Sequence, residues 1–113
     1  MKSKILALSK NEEFKKLLKQ KKISNKFVTI FFGTLENKDN KKLNISFVTK
    51  KKIGNAVKRN KIKRRLRNIV NDAVKKISIK FNYSYLVIAK STMLNSDYKN
   101  IKESLFQDLK KIK

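Results

Sequence analysis

One segment of this chain has an apolar period strong enough to restrict the fold around it. Between Asn55 and Ile77, apolar residues recur within a narrow arc when successive residues are placed about 100° apart. The apolar positions are Ile62, Leu66, Ile69, Val70, Ala73 and Ile77. Basic residues occupy the rest of the circumference, so the pattern predicts a long helix with one buried stripe and a basic exterior.

Strand patterns lie on both sides of this helix. Residues 26–35 are rich in β-branched and aromatic side chains, and residues 43–49 alternate apolar with polar ones after a polar loop. We interpret these segments as two antiparallel strands. Tyr83 to Ala89 is apolar enough to be a central strand.

Two further helices are predicted near the ends of the chain. Ser9 or Asn11 caps a first helix that runs to about Gln20, with acidic residues in its first turn. Asn95 or Ser96 caps a final helix with one apolar face. The order is roughly α-β-β-α-β-α, with room for one more strand before the central helix, and the class is α+β.

Length and charge limit the classes of function. The 113 residues suit one domain spanning 1–113, without a linker. With 31 Lys+Arg against 8 Asp+Glu, the net charge of +23 attracts polyanions. No apolar run reaches the roughly 20 residues of a membrane span, and Met1 to Lys10 shows no signal peptide. We expect a cytoplasmic protein with no membrane partner.

The same composition limits catalysis. The chain has no Cys and no His, which removes disulfides, thiolate chemistry, soft metal sites and the usual general base. We therefore expect neither a catalytic residue nor a metal site on the protein itself.

Arginine is concentrated in one place. All arginines lie within residues 59–67, and every other basic residue among the 31 is lysine. A charge run on a helix is usually a solvated face, but residues 50–70 contain no acidic residue, so neighbouring cations repel. Arginine adds a planar fork that binds phosphate bidentately and stacks on bases. The cluster therefore indicates nucleic-acid contact. Gly54 precedes it and predicts a turn that a side chain would hinder.

The stretch KKIGNAVKRNKIKRRLR resembles the signature of the protein subunit of bacterial ribonuclease P, in which an Arg-Asn-Arg motif opens a basic helix. Lys61 stands where that family usually has its second arginine. The similarity extends over nearly the whole chain, including an N-terminal NEEF and a strand that ends in Ala89-Lys90. The matching signature residues are Lys51, Lys52, Gly54, Asn55, Ala56, Val57, Arg59, Asn60, Lys63 and Arg64.

This resemblance implies a fold and a function. The fold is a single-domain α/β sandwich like domain 2 of ribosomal protein S5, with a left-handed β-α-β crossover. The function is to assist the endonucleolytic removal of the 5′ leader from precursor tRNA. The RNA subunit is the catalyst, and Mg²⁺ is bound mainly by that RNA. The partners are therefore the ribonuclease P RNA and precursor tRNA, and DNA is not among them.

The resemblance also implies two sets of site residues. Phe14, Leu18, Phe31 and Lys90 correspond to the leader site. Core packing is the alternative role for the first three, and Lys90 could equally be a surface lysine at a strand end. The residues implied to bind the catalytic RNA are Lys51, Lys52, Asn55, Arg59, Asn60, Lys61, Lys63, Arg64 and Arg67.

Two other functions fit a small basic protein without catalytic residues. The first is a ribosomal or other structural RNA-binding protein. The second is a DNA-binding protein that uses residues 55–77 as a recognition helix. A short helix-turn-helix pair is missing from the pattern, which disfavours the DNA-binding alternative.

Overall fold

Three helices and a five-stranded sheet are formed by residues 5–6, 11–35 and 42–112, which the computed structural model describes. The elements are β1 (Ile5–Leu6), α1 (Asn11–Leu18), β2 (Lys21–Ser24), β3 (Val28–Gly33), β4 (Leu43–Val48), α2 (Ala56–Lys76), β5 (Ser84–Ala89) and α3 (Tyr98–Lys111). Short 3₁₀ turns occupy Lys51–Ile53 and Ser91–Asn95. The predicted α+β class is confirmed. The predicted cap Ser9 lies outside the described residues, and α1 ends at Leu18.

The sheet has the order β1-β4-β5-β3-β2, with β5 at its centre. β5 runs parallel to β4 and antiparallel to β3, so Val87 lies between Phe47 on one side and Ile30 on the other. The central position predicted for β5 is confirmed. β3 and β4 run in opposite directions, as predicted, but they are not paired with each other because β5 lies between them. Alternation along a strand shows which side chains share a face, but it does not show which strand is the neighbour.

The sequence patterns left room for one more strand before the central helix but did not assign residues to it. β2 is such a strand. It pairs antiparallel with β3 and forms an edge of the sheet. Its pattern is weak because Lys21 and Lys22 are exposed and only Ile23 is apolar. Charged edge positions of this kind discourage pairing with another chain. The parallel strands β4 and β5, with α2 between them in the chain, form a β-α-β unit on the other side of the sheet from β2. Its left-handed crossover remains a prediction.

α2 and α3 cover one face of the sheet. The stripe predicted on α2 is confirmed from Ile62 to Ala73, while Ile77 follows the helix as its C-cap and stays partly exposed. α3 adds Ile101 and Leu105 to the same core, which also includes Ile30 of β3. Full burial of one such side chain stabilises the fold by about 1.5–3 kcal/mol. The buried stripe of α2 thus fixes the helix to the core, and the basic residues of α2 lie on the rest of its surface.

Two polar features mark the junction of α3 with the rest of the fold. The predicted cap at Asn95 or Ser96 is wrong, since Asp97 is the N-cap and the Ser96 hydroxyl donates to the Thr92 carbonyl at 2.7 Å. Further along, Lys102 Nζ of α3 donates to Asp72 Oδ2 of α2 at 2.7 Å. This hydrogen bond lowers the pKa of Asp72 and raises the pKa of Lys102. The ion pair therefore links the two helices.

Candidate nucleic-acid interface

The start of α2 combines a side-chain cap with a buried anchor. Asn55 Oδ1 accepts a hydrogen bond from the backbone N–H of Lys58 at 3.0 Å, which satisfies one of the free donors of the first turn. The preceding 3₁₀ turn buries Ile53 and leaves Lys51 and Lys52 exposed. The predicted cations before the helix therefore lie in solvent beside its first turn.

Gly54 is constrained by a close neighbour rather than by its backbone. Its φ of 161° is extended, so no left-handed conformation requires glycine there. A Cβ at Gly54 would lie 3.0 Å from Lys58 Cδ and 3.2 Å from Lys58 Cβ. The predicted hindrance is present, but it comes from the side chain one turn into α2.

The exposed side of α2 carries most of the predicted RNA-binding residues on one contiguous surface. Arg59, Lys63 and Arg67 follow one another at intervals of four residues, with Arg59 and Lys63 partly exposed beside the buried stripe. Lys61 is exposed further around the helix, towards the other edge of the stripe. We call this surface the α2 basic face. Its members are Arg59, Asn60, Lys61, Lys63, Arg64 and Arg67.

Arg59 has an unused donor. Its Nε atom is buried and has no hydrogen-bond partner within the described residues. Leaving a buried donor unpaired costs about 1–3 kcal/mol, and more when the group is charged. An anionic group that docks beside Arg59 could supply the missing acceptor. This feature distinguishes Arg59 from the exposed arginines further along α2.

A second candidate surface lies on the opposite face of the sheet, beside α1. There Leu17 of α1 is buried together with Leu86 of β5. Phe31 pairs with Leu86 across β3 and β5, and Thr29 pairs with Ile88 two residues along. Residues two apart in a strand share a face, so all four strand residues lie on this side. The partly exposed apolar residues of the cluster are Phe14, Phe31, Leu35, Val48 and Ile88.

The sheet face opens into a cavity of about 420 Å³ at its Thr29 and Ile88 end. Lys50, Lys52 and Lys90 contribute to its walls, and the described residues that line it include no acidic side chain. We call the exposed apolar cluster and this cavity together the α1 groove. The groove therefore offers apolar side chains at one end and cations at the other.

Lys90 is held in place at the cationic end of the groove. Its Nζ donates to the Asn25 carbonyl at 2.6 Å and to Ser24 Oγ at 2.9 Å. Its backbone N–H donates to the Phe27 carbonyl at 2.8 Å. Lys90 is thus partly exposed but fixed to the turn between β2 and β3.

The four predicted leader residues do not all meet. Phe14, Phe31 and Lys90 lie in the α1 groove, whereas Leu18 is 47% exposed and is not part of the apolar cluster. Leu17 packs against the sheet instead, three residues after Phe14 on the helix. The core-packing alternative holds in part for Phe14 and Phe31, because both contact the buried cluster while remaining partly exposed.

The sequence did not predict that Thr29, Lys50 and Ile88 line the α1 groove. The two-residue period of a strand could have placed Thr29 beside Phe31. No such signal exists for Ile88, because β5 is apolar on both faces. Lys50 resembles many other lysines in the chain, and only the three-dimensional arrangement brings it to the cavity.

The described part of the chain lacks the features of two other functional classes. It contains no group of three or more His, Cys, Asp or Glu side chains that could hold a metal ion. None of its helices combines the length and apolarity needed to cross a membrane.

The fold and these two surfaces define a small, strongly basic α+β protein with a cationic helix and an open groove beside its sheet. The family model described as Ribonuclease P matches residues 3–113. The ribonuclease P protein component of Carboxydothermus hydrogenoformans is 33% identical over 110 residues, which cover 94% of this chain and 90% of that protein. The corresponding protein of Mycoplasma mycoides is 31% identical over 106 residues and 94% of each chain.

Solved structures agree with this result. The RNase P protein of Staphylococcus aureus is 28% identical, with a TM-score of 0.77 over 94% of this chain and 93% of that one. The RNase P protein of Thermotoga maritima has a TM-score of 0.79 over 96% and 98% of the two chains, and at 24% identity it supports the fold alone.

This chain belongs to the bacterial ribonuclease P protein family, as its resemblance to the family signature predicted. The role of the family is tRNA 5′ processing, as the protein component of an endoribonuclease holoenzyme. Membership implies that a ribonuclease P RNA is its partner. It also decides against the ribosomal and DNA-binding alternatives.

Proposed function

We propose that this protein binds the catalytic RNA through the α2 basic face and holds the 5′ leader of precursor tRNA in the α1 groove. In this arrangement the protein brings substrate and catalyst together, while the RNA performs the hydrolysis. The observation that carries the proposal is the difference in character between the two surfaces: one is a cationic helix, and the other is a groove that combines apolar and cationic side chains.

The α2 basic face suits a folded RNA. Arginine and lysine side chains neutralise phosphates and release counterions, which supplies affinity without reading sequence. Arg64 and Arg67 are exposed and can present bidentate forks, and the unpaired Nε of Arg59 adds a donor. Lys51 and Lys52 extend the cationic surface beyond the start of the helix. Asn55 acts here chiefly as the cap that begins α2.

The α1 groove suits a single strand. Unpaired bases stack on aromatic rings with little sequence preference, each contributing roughly 1–3 kcal/mol. The partly exposed rings of Phe14 and Phe31 offer such surfaces. Lys50, Lys52 and Lys90 lie at the cavity end, where a leader phosphate would be neutralised. Tolerance of sequence is what a site for varied leaders requires.

We further propose that Mg²⁺ is held mainly by the RNA and that the holoenzyme acts in the cytoplasm. Mg²⁺ prefers oxygen ligands and keeps several waters, and phosphate oxygens of RNA meet that preference. A cationic protein that neutralises neighbouring phosphates lowers the Mg²⁺ concentration at which the RNA folds and binds substrate.

The experiment is cleavage of precursor tRNA by ribonuclease P RNA at limiting Mg²⁺, with and without this protein. We expect a clear rate enhancement by the protein at low Mg²⁺ that shrinks as Mg²⁺ rises. Arg59→Ala should require a higher protein concentration for the same enhancement. Arg65→Ala is the control on the same helix, because Arg65 lies at the other edge of the buried stripe from Arg59 and is not assigned to the α2 basic face.

Equal rates with and without protein at every Mg²⁺ concentration would contradict the proposed function. Equal effects of Arg59→Ala and Arg65→Ala would contradict only the assignment of the α2 basic face.

A further inference from the structure

A buried carboxylate on α3 is connected to the α1 groove by a chain of hydrogen bonds. Asp108 is 5% exposed, and its Oδ2 accepts from Asn25 Nδ2 at 2.7 Å. The backbone carbonyl of Asn25 accepts from Lys90 Nζ at 2.6 Å. One asparagine therefore contacts both a helix on the far face of the sheet and the cation at the groove.

Asn25 also builds the turn that carries this carbonyl. Its Oδ1 accepts from the backbone N–H groups of Phe27 at 2.7 Å and Val28 at 2.9 Å, and its own N–H donates to the Val28 carbonyl at 2.9 Å. Every polar group of Asn25 is thus used. The direction of its carbonyl depends on its side chain, and the side chain amide is anchored by Asp108.

The choice of a carboxylate at position 108 has a cost that needs an explanation. Burying a charged group is unfavourable unless it is hydrogen-bonded, and an apolar residue would suit an α3 face that packs on the core. Leu105 and Leu109 are buried on either side of Asp108 along α3. The hydrogen bond from Asn25 to Asp108 offsets this cost by fixing the turn at Asn25. The same turn holds the Lys90 ammonium, so the effect of the bond extends beyond the core.

We propose that Asp108 is a positioning residue for Lys90, acting through Asn25 to fix the Lys90 ammonium at the cationic end of the α1 groove. The inference rests on the proposed function, in which the Lys90 ammonium neutralises a phosphate of the leader. A lysine that is already held in place loses less side-chain entropy on binding than a free one. Asp108 itself does not touch the substrate.

The first measurement concerns Lys90 in the free protein. The three ammonium protons of a lysine exchange slowly enough for a ¹⁵Nζ NMR signal when hydrogen bonds hold them, and Lys90→Arg assigns the signal. We expect Asp108→Ala to broaden the Lys90 signal or move it to the position of exposed lysines. Asp108→Asn should preserve it, because its Oδ1 can still accept from Asn25 Nδ2.

The second measurement uses the holoenzyme and the ratio of its affinities for precursor and mature tRNA. Lys90→Ala should lower this ratio about tenfold, as expected for one charge-assisted hydrogen bond. Asp108→Ala should lower it about threefold, in keeping with an indirect role. Asp108→Asn should restore it. In Lys90→Ala/Asp108→Ala, the second substitution should add nothing, since the residue it positions is absent.

Each variant is first checked for folding by circular dichroism, and Asp108→Leu replaces Asp108→Ala if the alanine variant does not fold. An unchanged Lys90 signal in the folded variant overturns the inference, as does a full additional loss in the double variant. If Lys90→Ala leaves the affinity ratio unchanged while the Lys90 signal still depends on Asp108, the leader contact of Lys90 fails and the positioning of its ammonium stands.

Discussion

The α2 basic face and the α1 groove differ in what lies beneath their exposed side chains. On α2, the cations lie outside the buried stripe of the same helix, so binding and core packing use different residues. In the groove, Phe14 and Phe31 are partly exposed and also pack against Leu17 and Leu86. A substitution on the face should therefore change binding with little effect on stability, whereas one in the groove should change both.

The largest expected effect is that of salt on the face. If about six or more phosphates are neutralised there, affinity for the catalytic RNA should fall about 10³-fold or more between roughly 50 and 200 mM salt. Lys63→Ala should reduce the slope of log K against log salt by about one. The ratio of precursor to mature tRNA affinity depends on the groove, and its salt dependence should be much weaker. Binding isotherms at several salt concentrations measure both quantities.

A complex that is insensitive to salt would contradict phosphate contact by the α2 basic face. Equal salt slopes for assembly and for the leader-dependent ratio would remove the physical difference between the two surfaces.

The next effect concerns an aromatic side chain of the groove. Phe14→Ala should lower holoenzyme affinity for precursor tRNA about tenfold, the size of one lost base stack, with mature tRNA affinity and protein–RNA assembly nearly unchanged. It should also lower the melting temperature, because Phe14 contacts the buried cluster. Leu18→Ala is the matched control on the same helix, since Leu18 lies 47% exposed outside that cluster.

Substrates with and without a leader separate the outcomes for α1. If Phe14→Ala weakens both equally in a folded protein, Phe14 is a core residue only. If Leu18→Ala gives the same leader-dependent loss as Phe14→Ala, the leader strand extends over the outer surface of α1, as the family resemblance implies for Leu18.

A smaller effect tests the geometry of arginine on the face. Arg64→Lys keeps the charge but loses the planar fork, so affinity for the catalytic RNA should fall a few-fold, by about 1 kcal/mol, with the salt slope retained. Unfolding should be unaffected because Arg64 is exposed. Identical affinity for the lysine variant would show that charge alone matters at this position.

The smallest effect concerns the ion pair that joins α2 to α3, away from both surfaces. The hydrogen bond from Lys102 holds the pKa of Asp72 below its ordinary value, so the folded state favours the ionised carboxylate. Its stabilisation is present above the ordinary Asp pKa and is lost as the pH falls through the lowered one. Asp72→Asn should therefore lower the melting temperature slightly near neutral pH and not in strong acid. A deficit that persists in acid would point to packing instead.

Local features of the fold were readable from the sequence because their signals are local. The stripe from Ile62 to Ala73 depends on residues within a few turns of one another, and it is found where predicted. The part of the candidate site that lies on α2 could be predicted for the same reason, because its residues are close together in the sequence. The family signature is also contiguous, so it identified the family from one stretch of chain.

The α1 groove could be predicted less completely from the sequence, because it is formed by segments that are far apart along the chain. Phe14 and Lys90 were predicted through family resemblance, whereas Thr29 and Lys50 were not predicted at all. The bonds from Lys90 to the turn at Asn25 join residues 65 positions apart along the chain. No periodicity within a strand or helix contains that information.

By itself, the sequence determined the α+β class, the long basic helix, the central strand and the family. Each depends on short-range periodicity, composition or a contiguous motif. Only the tertiary structure decided that β5 separates β3 from β4, that Leu17 rather than Leu18 packs under α1, and that Asp108 reaches Asn25. The physical reason is that side-chain alternation assigns a residue to a face, while strand order and packing depend on the free energy of the whole assembled core.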